Sequence, residues 1–256
     1  MHDTFLLAQW LYPALTALAV ITGCIDAIAG GGGLLMMPAL IYAGLPVPLV
    51  LGTNKLQSAC GASVATARYH RAGLFSLRAS LPAAVTAFAG AAAGALVIQR
   101  FDAHALRLIV PLMLMGAALY TLLSPRMDDA ASSPRIGARA YLPVAGGIGF
   151  YDGFFGPGTG QFFAATLVAL RGLGLTRATG LTKLLNLSSN VASLIVFAFG
   201  GQVLWLLGLC MGAGSMTGAL IGTRLATRYG ARLIRPLLVT ASLALTGRLV
   251  WGWFAG

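Results

Sequence analysis

Glutamate is absent from this chain, lysine occurs twice, and charged residues together make up 9% of it. A soluble domain carries about 25% charge, so a soluble globular domain is excluded, and no polar stretch is long enough to form one. The longest, residues 124–139, reads as a loop. Without glutamate there can be no H-E-x-x-H zinc site. No acidic metal-binding cluster or nucleophile elbow occurs in the apolar segments either. Cys24, Cys60 and Cys210 all fall within apolar segments. Their odd number and lack of ligand spacing argue against a disulfide framework or a zinc centre. No metal and no cofactor is expected, and an intramembrane enzyme has no support. The N-terminus lacks the basic region and cleavage site of a secretory signal, so the first apolar stretch is expected to be retained.

What is present is hydrocarbon: 58% of residues are hydrophobic, and the mean hydropathy is +0.84. Apolar segments recur along the whole length, which identifies an all-α polytopic membrane protein. The net charge of +11 comes mostly from arginines in short loops. That is how membrane orientation is set, and no nucleic-acid partner is implied. The apolar segments are residues 6–29, 34–45, 49–68, 77–98, 106–123, 140–155, 160–171, 179–200, 202–223 and 233–254. A spanning helix needs about 20 residues. The second and seventh segments have about 12, or roughly 18 Å. Both follow a glycine run, so they are expected to be half-helices or arms of re-entrant hairpins.

The chain repeats itself at an offset of about 125 residues. Asp26 matches Asp152, Gly30 matches Gly156, Gly32 matches Gly158 and Lys55 matches Lys183. Gly94-Ala95-Leu96 matches Gly218-Ala219-Leu220, and Arg107-Leu108-Ile109 matches Arg232-Leu233-Ile234. The expected units are repeats of about five segments each, 1–133 and 134–256. Their equivalent loops have opposite charge bias. Arg68, Arg71 and Arg78 follow the third segment, while the equivalent Gly200-Gly201-Gln202 carries no charge. Arg100, Arg107 and Asp102 follow the fourth segment, against Arg224, Arg228, Arg232 and Arg235 in the second half. The positive-inside rule then predicts inverted repeats, a cytoplasmic central loop with Arg126, Arg135 and Arg139, and both termini outside. Inverted repeats with short Gly/Pro-interrupted segments point to a transporter site near the membrane midplane.

Nearly all the polar chemistry lies in two stretches. In the first, Gly30 to Gly33 precede the cluster Thr53-Asn54-Lys55-Leu56-Gln57-Ser58. In the second, Gly156-Pro157-Gly158-Thr159-Gly160 precedes Thr182, Lys183, Asn186 and Asn190. A helix restarting at a glycine run exposes unpaired N–H groups and a positive dipole end, which suits an anion. Gly31, Gly32 and Gly33 with Gly158, Thr159 and Gly160 are therefore binding candidates, close helix packing being the competing role. Gly90/Gly94 and Gly214/Gly218/Gly222 read as packing motifs. A lysine in hydrocarbon is a functional candidate. Lys183, Asn186 and Asn190 share one helix face, as do Lys55 and Ser58, and Asn54 and Ser58; Thr53 and Gln57 occupy an adjacent strip. The competing role is snorkelling to a nearby surface. Asp26 and Asp152 have three open roles: capping the broken helix, pairing with a lysine, or carrying a proton. Trp10, Trp205, Trp251 and Trp253 stand near segment ends, as an interfacial belt would.

The motifs IDAIAGGGGLLMMPAL…GLPVPLVLGTNKLQ and FYDGFFGPGTGQF…TGLTKLLNLSSN resemble the TauE/SafE sulfite-exporter family, also called the toluene-sulfonate uptake permeases. The resemblance covers essentially the full chain, duplication included. It implies a permease of the bacterial inner membrane that moves small sulfur-containing anions such as sulfite, sulfoacetate or sulfonates, usually outward, without ATP hydrolysis. The lack of a Walker motif agrees with that. The implied partners are a small anionic substrate and the lipid bilayer, with a homodimer left open. The alternative is an uncoupled channel or facilitator. The two half-sites differ: the second glycine run is interrupted by Pro157 and Thr159, and Thr53-Asn54 becomes Leu181-Thr182, so unequal contributions are expected.

Overall fold

The structure, a computed structural model, describes residues 9–102 and 129–229, with positions 106, 109, 112, 113, 116 and 117 between them. The expected segments 106–123 and 233–254, with Arg107, Arg126, Arg232, Arg235, Arg248, Trp251 and Trp253, lie wholly or largely outside the described residues.

The described elements are all α-helices. They are α1 (Leu11–Ala29), α2 (Gly32–Tyr42), α3 (Val47–Arg71), α4 (Leu77–Ile98), α5 (Leu142–Phe154), α6 (Thr159–Arg171), α7 (Leu175–Phe199) and α8 (Trp205–Tyr229). Four of them, α1, α4, α7 and α8, are long and apolar enough to cross a membrane. α4 presents Leu77, Leu81, Val85 and Phe88 as an exposed stripe at helical spacing, the surface a lipid-facing helix needs.

Both glycine runs break a helix. α1 stops at Gly30, whose φ of 76° is left-handed and whose N–H closes on the Asp26 carbonyl at 2.8 Å. α6 begins after Gly158, also left-handed at 84°. The resulting α2 and α6 have 11 and 13 residues, or roughly 16 and 20 Å. Four residues separate α2 from α3, and Gly33 lies against Asn54. The chain thus returns along α2 to the end where α1 began before α3 starts.

Several boundaries differ from the sequence expectation, two of them in the second half of the chain by four residues or more. α7 starts at Leu175 rather than at residue 179, because Leu175 and Ala178 are fully buried and draw the polar Thr176-Arg177 into the helix. α8 runs on to Tyr229 rather than 223, carrying Arg224 and Arg228 in its last turns.

Glycine contacts give the directions. Gly214, Gly218 and Gly222 of α8 back onto Thr16, Val20 and Cys24 of α1 in step, so those helices are parallel. Gly90 and Gly94 of α4 meet Gly146 and Phe150 of α5 in the same sense. Both expected packing motifs are therefore packing motifs. α3 and α7 are antiparallel: Gly52 near the start of α3 abuts Gln202 just beyond α7, and Gly180 near the start of α7 abuts Leu74 just beyond α3.

Two bundles result, and each borrows from the other half of the chain. α8 packs on α1 and α3, with α2 against α1 and α3, while α4 packs on α5 and α7, with α6 against α7 and α5; α3 and α7 meet between the bundles. Arg68, Arg71, Arg78, Arg135, Arg139, Arg171, Arg177, Arg224 and Arg228 all gather at one end, leaving Arg100 as the one described arginine at the other. Trp10 and Trp205 stand exposed at the end with few arginines.

Candidate functional site

Asp26 sits in the last turn of α1, where the helix break leaves backbone groups without intrahelical partners. Its Oδ1 accepts the Gly32 N–H at 3.3 Å, and its Oδ2 pairs with Lys183 Nζ at 3.0 Å. Lys183 also donates to the Asp26 backbone carbonyl. Asp152 holds the equivalent place at the end of α5. Its Oδ1 pairs with Lys55 Nζ at 2.8 Å and accepts from Thr159 Oγ1 at 3.1 Å, while Oδ2 accepts from Ser189 Oγ. Lys55 likewise donates to the Asp152 backbone carbonyl. Each lysine therefore holds both the side chain and the backbone carbonyl of the aspartate from the other half, the Asp26 carbonyl also accepting the Gly30 N–H.

Of the alternatives the sequence left open, snorkelling is overturned: Lys55 and Lys183 are 1% and 0% exposed. An ammonium this deep needs an ionic partner, and each has one. Capping and pairing, set out as competitors for Asp26, occur together in one carboxylate. The two pairs are not alike. Lys55 and Asp152 are both enclosed, whereas the Asp26 side chain keeps 31% of its surface.

Between the pairs lies a cavity of about 30 Å³ lined from both halves by Asp26, Gly30, Gly33, Asn54, Lys55, Ser58, Asp152, Gly156, Gly158, Thr159, Gly160, Asn186 and Asn190. That is room for a few water-sized groups. The glycine runs meet face to face there. A Cβ on Gly160 would lie 2.6 Å from Gly30 Cα, and one on Gly30 2.8 Å from the Gly160 carbonyl carbon. Among the described residues, no group accepts the N–H of Gly33 or of Gly160, each in the first turn of a half-helix. Asn54 Oδ1 and Asn186 Oδ1 are buried without partners. Each of these amides therefore has an open polar group to offer a ligand. Two lysines and two aspartates sum to zero charge, so the attraction for an anion comes from the half-helix dipoles and the open N–H groups.

Most of the expected residues converge. Gly33, Asn54, Lys55, Ser58, Gly158, Thr159, Gly160, Asn186 and Asn190 all line the cavity. Gly31, Gly32, Gln57, Thr182 and Lys183 do not. Gly31 caps α2, Gly32 is spent on Asp26, and Gln57 donates to Thr22 Oγ1 at 3.4 Å. The Thr182 hydroxyl is buried without a partner, and Lys183 reaches the site through Asp26. Thr53, on the same strip as Gln57, accepts the Leu204 N–H and holds the start of α8. Gly30 and Gly156, matched in the duplication but left out of the expected site, belong to it. Ser189, three residues from Asn186 and therefore on its face, does not line the cavity but donates to Asp152, which does.

Residues 15–249 match the family of the sulfite exporter TauE/SafE. The chain is 46% identical over 245 residues to "Probable membrane transporter protein ORF9" of Sinorhizobium sp, covering 95% of this chain and 94% of that protein. It is 41% identical over 252 residues to "Probable membrane transporter protein YfcA" of Escherichia coli K12, covering 98% and 93%. A "Probable membrane transporter protein" of Haemophilus influenzae is 39% identical over 247 residues, covering 95% and 97%. No solved structure matches. With its broken helices, paired lysines and full-length match, the chain belongs to the TauE/SafE sulfite exporter family of integral membrane proteins.

Proposed function

We propose that this protein is a secondary transporter that exports small sulfur-containing anions, such as sulfite or an organosulfonate, by alternating access. The observation that carries the reading is the cavity at which two half-helix N-termini and two exchanged Lys–Asp pairs meet. Open N–H groups, amides and Ser58 suit the oxygens of a small oxyanion.

The antiparallel course of α3 and α7, which carry equivalent lysines, supports inverted repeats. The moving bodies are then the two composite bundles rather than the two sequence halves. Both ion pairs run between bundles, Lys55 on α3 to Asp152 on α5 and Lys183 on α7 to Asp26 on α1. They hold the bundles together across the cavity. An anion entering this neutral site brings an uncompensated charge, which is costly in a membrane interior. A proton taken up by Asp26, the carboxylate with exposed surface, restores neutrality and couples anion to proton. The arginine-rich end faces the cytoplasm of a bacterial inner membrane under the positive-inside rule, with both termini outside.

Flux in proteoliposomes tests this reading, with sulfite, sulfate, thiosulfate, taurine and sulfoacetate as substrates. The expected result is saturable flux of at least one of the sulfur oxyanions with counter-flow, stimulated by a pH gradient. Asp26→Asn should flatten the pH dependence. Flux without counter-flow would make the protein an uncoupled facilitator, and no flux of any of the five would remove the substrate class.

A further inference from the structure

We propose a second binding site, for an anionic phospholipid, at the arginine-rich end of the α4–α7 bundle. A cavity of about 300 Å³ opens there between the start of α4, the approach to α5, the end of α6 and the start of α7. Arg139, Arg171 and Arg177 line it, Arg171 and Arg177 flanking the turn from α6 to α7 and Arg139 coming from the approach to α5. None of them pairs with a carboxylate among the described residues. Arg171 gives one N–H to the Ile136 carbonyl at 2.9 Å. Among the described residues, no hydrogen bond joins the guanidinium of Arg139 or Arg177 to a partner. A guanidinium offers five donors in a fork that fits phosphate, so most of the donors around this cavity are unused.

The positive-inside rule accounts for arginines scattered over one membrane face. It does not require three of them to share a concave site with an apolar floor. The walls are largely hydrocarbon, with Leu74, Phe75, Leu142, Leu167, Leu173 and Leu181 among them. The same first turns of α4 that line the cavity also carry the exposed Leu77 and Leu81. Cations at the rim over apolar walls at a membrane surface match a phosphate headgroup with its acyl chain below. A small soluble anion would leave those walls unused. A vestibule for the transported anion is disfavoured as well, because this cavity shares no lining residue with the one between the Lys–Asp pairs. The duplication does not provide a counterpart. The positions 128 residues before Arg171 and Arg177 are Ala43 and Leu49, so the site belongs to one end of the molecule only.

The test titrates the full chain in a non-ionic detergent with phosphatidylglycerol, phosphatidylcholine of the same chain length, or inorganic phosphate. Retained lipid is read by native mass spectrometry and protection by the thermal midpoint. Phosphatidylglycerol should be retained saturably and raise the midpoint. Each removed guanidinium should weaken retention roughly fivefold, so that Arg139→Gln with Arg177→Gln weakens it about thirtyfold. Both side chains are exposed, so the double variant keeps its fold. Arg224→Gln with Arg228→Gln, at the same membrane end but outside the cavity, should leave retention unchanged. Equal retention of phosphatidylcholine, equal loss in the two double variants, or equal protection by inorganic phosphate would each overturn the site.

Discussion

Lys55 and Lys183 are each held by two oxygens of one aspartate, and their burial makes those oxygens indispensable. Removing one partner of a buried pair leaves the other charge uncompensated, at a cost of about 3–5 kcal/mol. The unequal enclosure of the two carboxylates ranks the two substitutions. Lys55→Ala strands Asp152, whose side chain is 3% exposed, whereas Lys183→Ala leaves Asp26 with 31% of its surface for water. The thermal midpoint in detergent should therefore fall further for Lys55→Ala than for Lys183→Ala. Equal falls would mean that the difference in exposure does not govern the pairs. Asp152 also keeps Thr159 and Ser189 as donors, which makes it the fixed member, while Asp26, among the described residues, is held by Lys183 and the Gly32 N–H.

At the scale of elements, small residues decide which helices can touch. Gly153 of α5 faces the Ala91 backbone of α4, and a methyl group there would overlap it. Overpacking of this kind costs about 1–3 kcal/mol. Gly147, in the same helix, has nothing within 4 Å of its missing Cβ. Gly153→Ala should lower the thermal midpoint, and Gly147→Ala should hold or raise it, since alanine is favoured in a helix interior by roughly 0.5–1 kcal/mol. A fall of similar size in both would show that backbone conformation rather than packing sets the requirement for glycine. The same contacts form the bundles: three glycines of α8 let α1 approach, and α4 and α5 repeat the arrangement.

For the whole molecule, the decisive feature is that each bundle takes its fourth helix from the other half of the chain. Neither half can separate from the other without unpacking α1 from α8 or α4 from α5. Under the proposed function, the arginine asymmetry gives both bundles one membrane orientation. Single cysteines at Ser76 and Gln202, introduced after Cys24, Cys60 and Cys210 are replaced by serine, should react with an impermeant maleimide from opposite sides. Ser76 lies in the arginine-rich turn before α4 and Gln202 in the turn before α8 at the other end. Labelling of both from one side would end the inverted arrangement.

By itself the sequence determined the all-helical membrane character, the places where the glycine runs break α1 and α5, and which residues carry polar chemistry. Those properties follow from local composition and spacing, and the duplication made each readable twice. The exchange of partners, by which Lys55 finds Asp152 and Lys183 finds Asp26, was decided by the tertiary structure. These contacts join residues 97 and 157 positions apart, and nothing in the periodicity of either segment distinguishes a lysine that pairs across halves from one that snorkels. The separation of Gly33 and Gly160, with their open N–H groups, from Gly32, already spent on Asp26, was also decided there. So was the placing of Arg139 beside Arg171 and Arg177 over one apolar cavity, because the approach to α5 meets the turn from α6 to α7 only when the bundle packs.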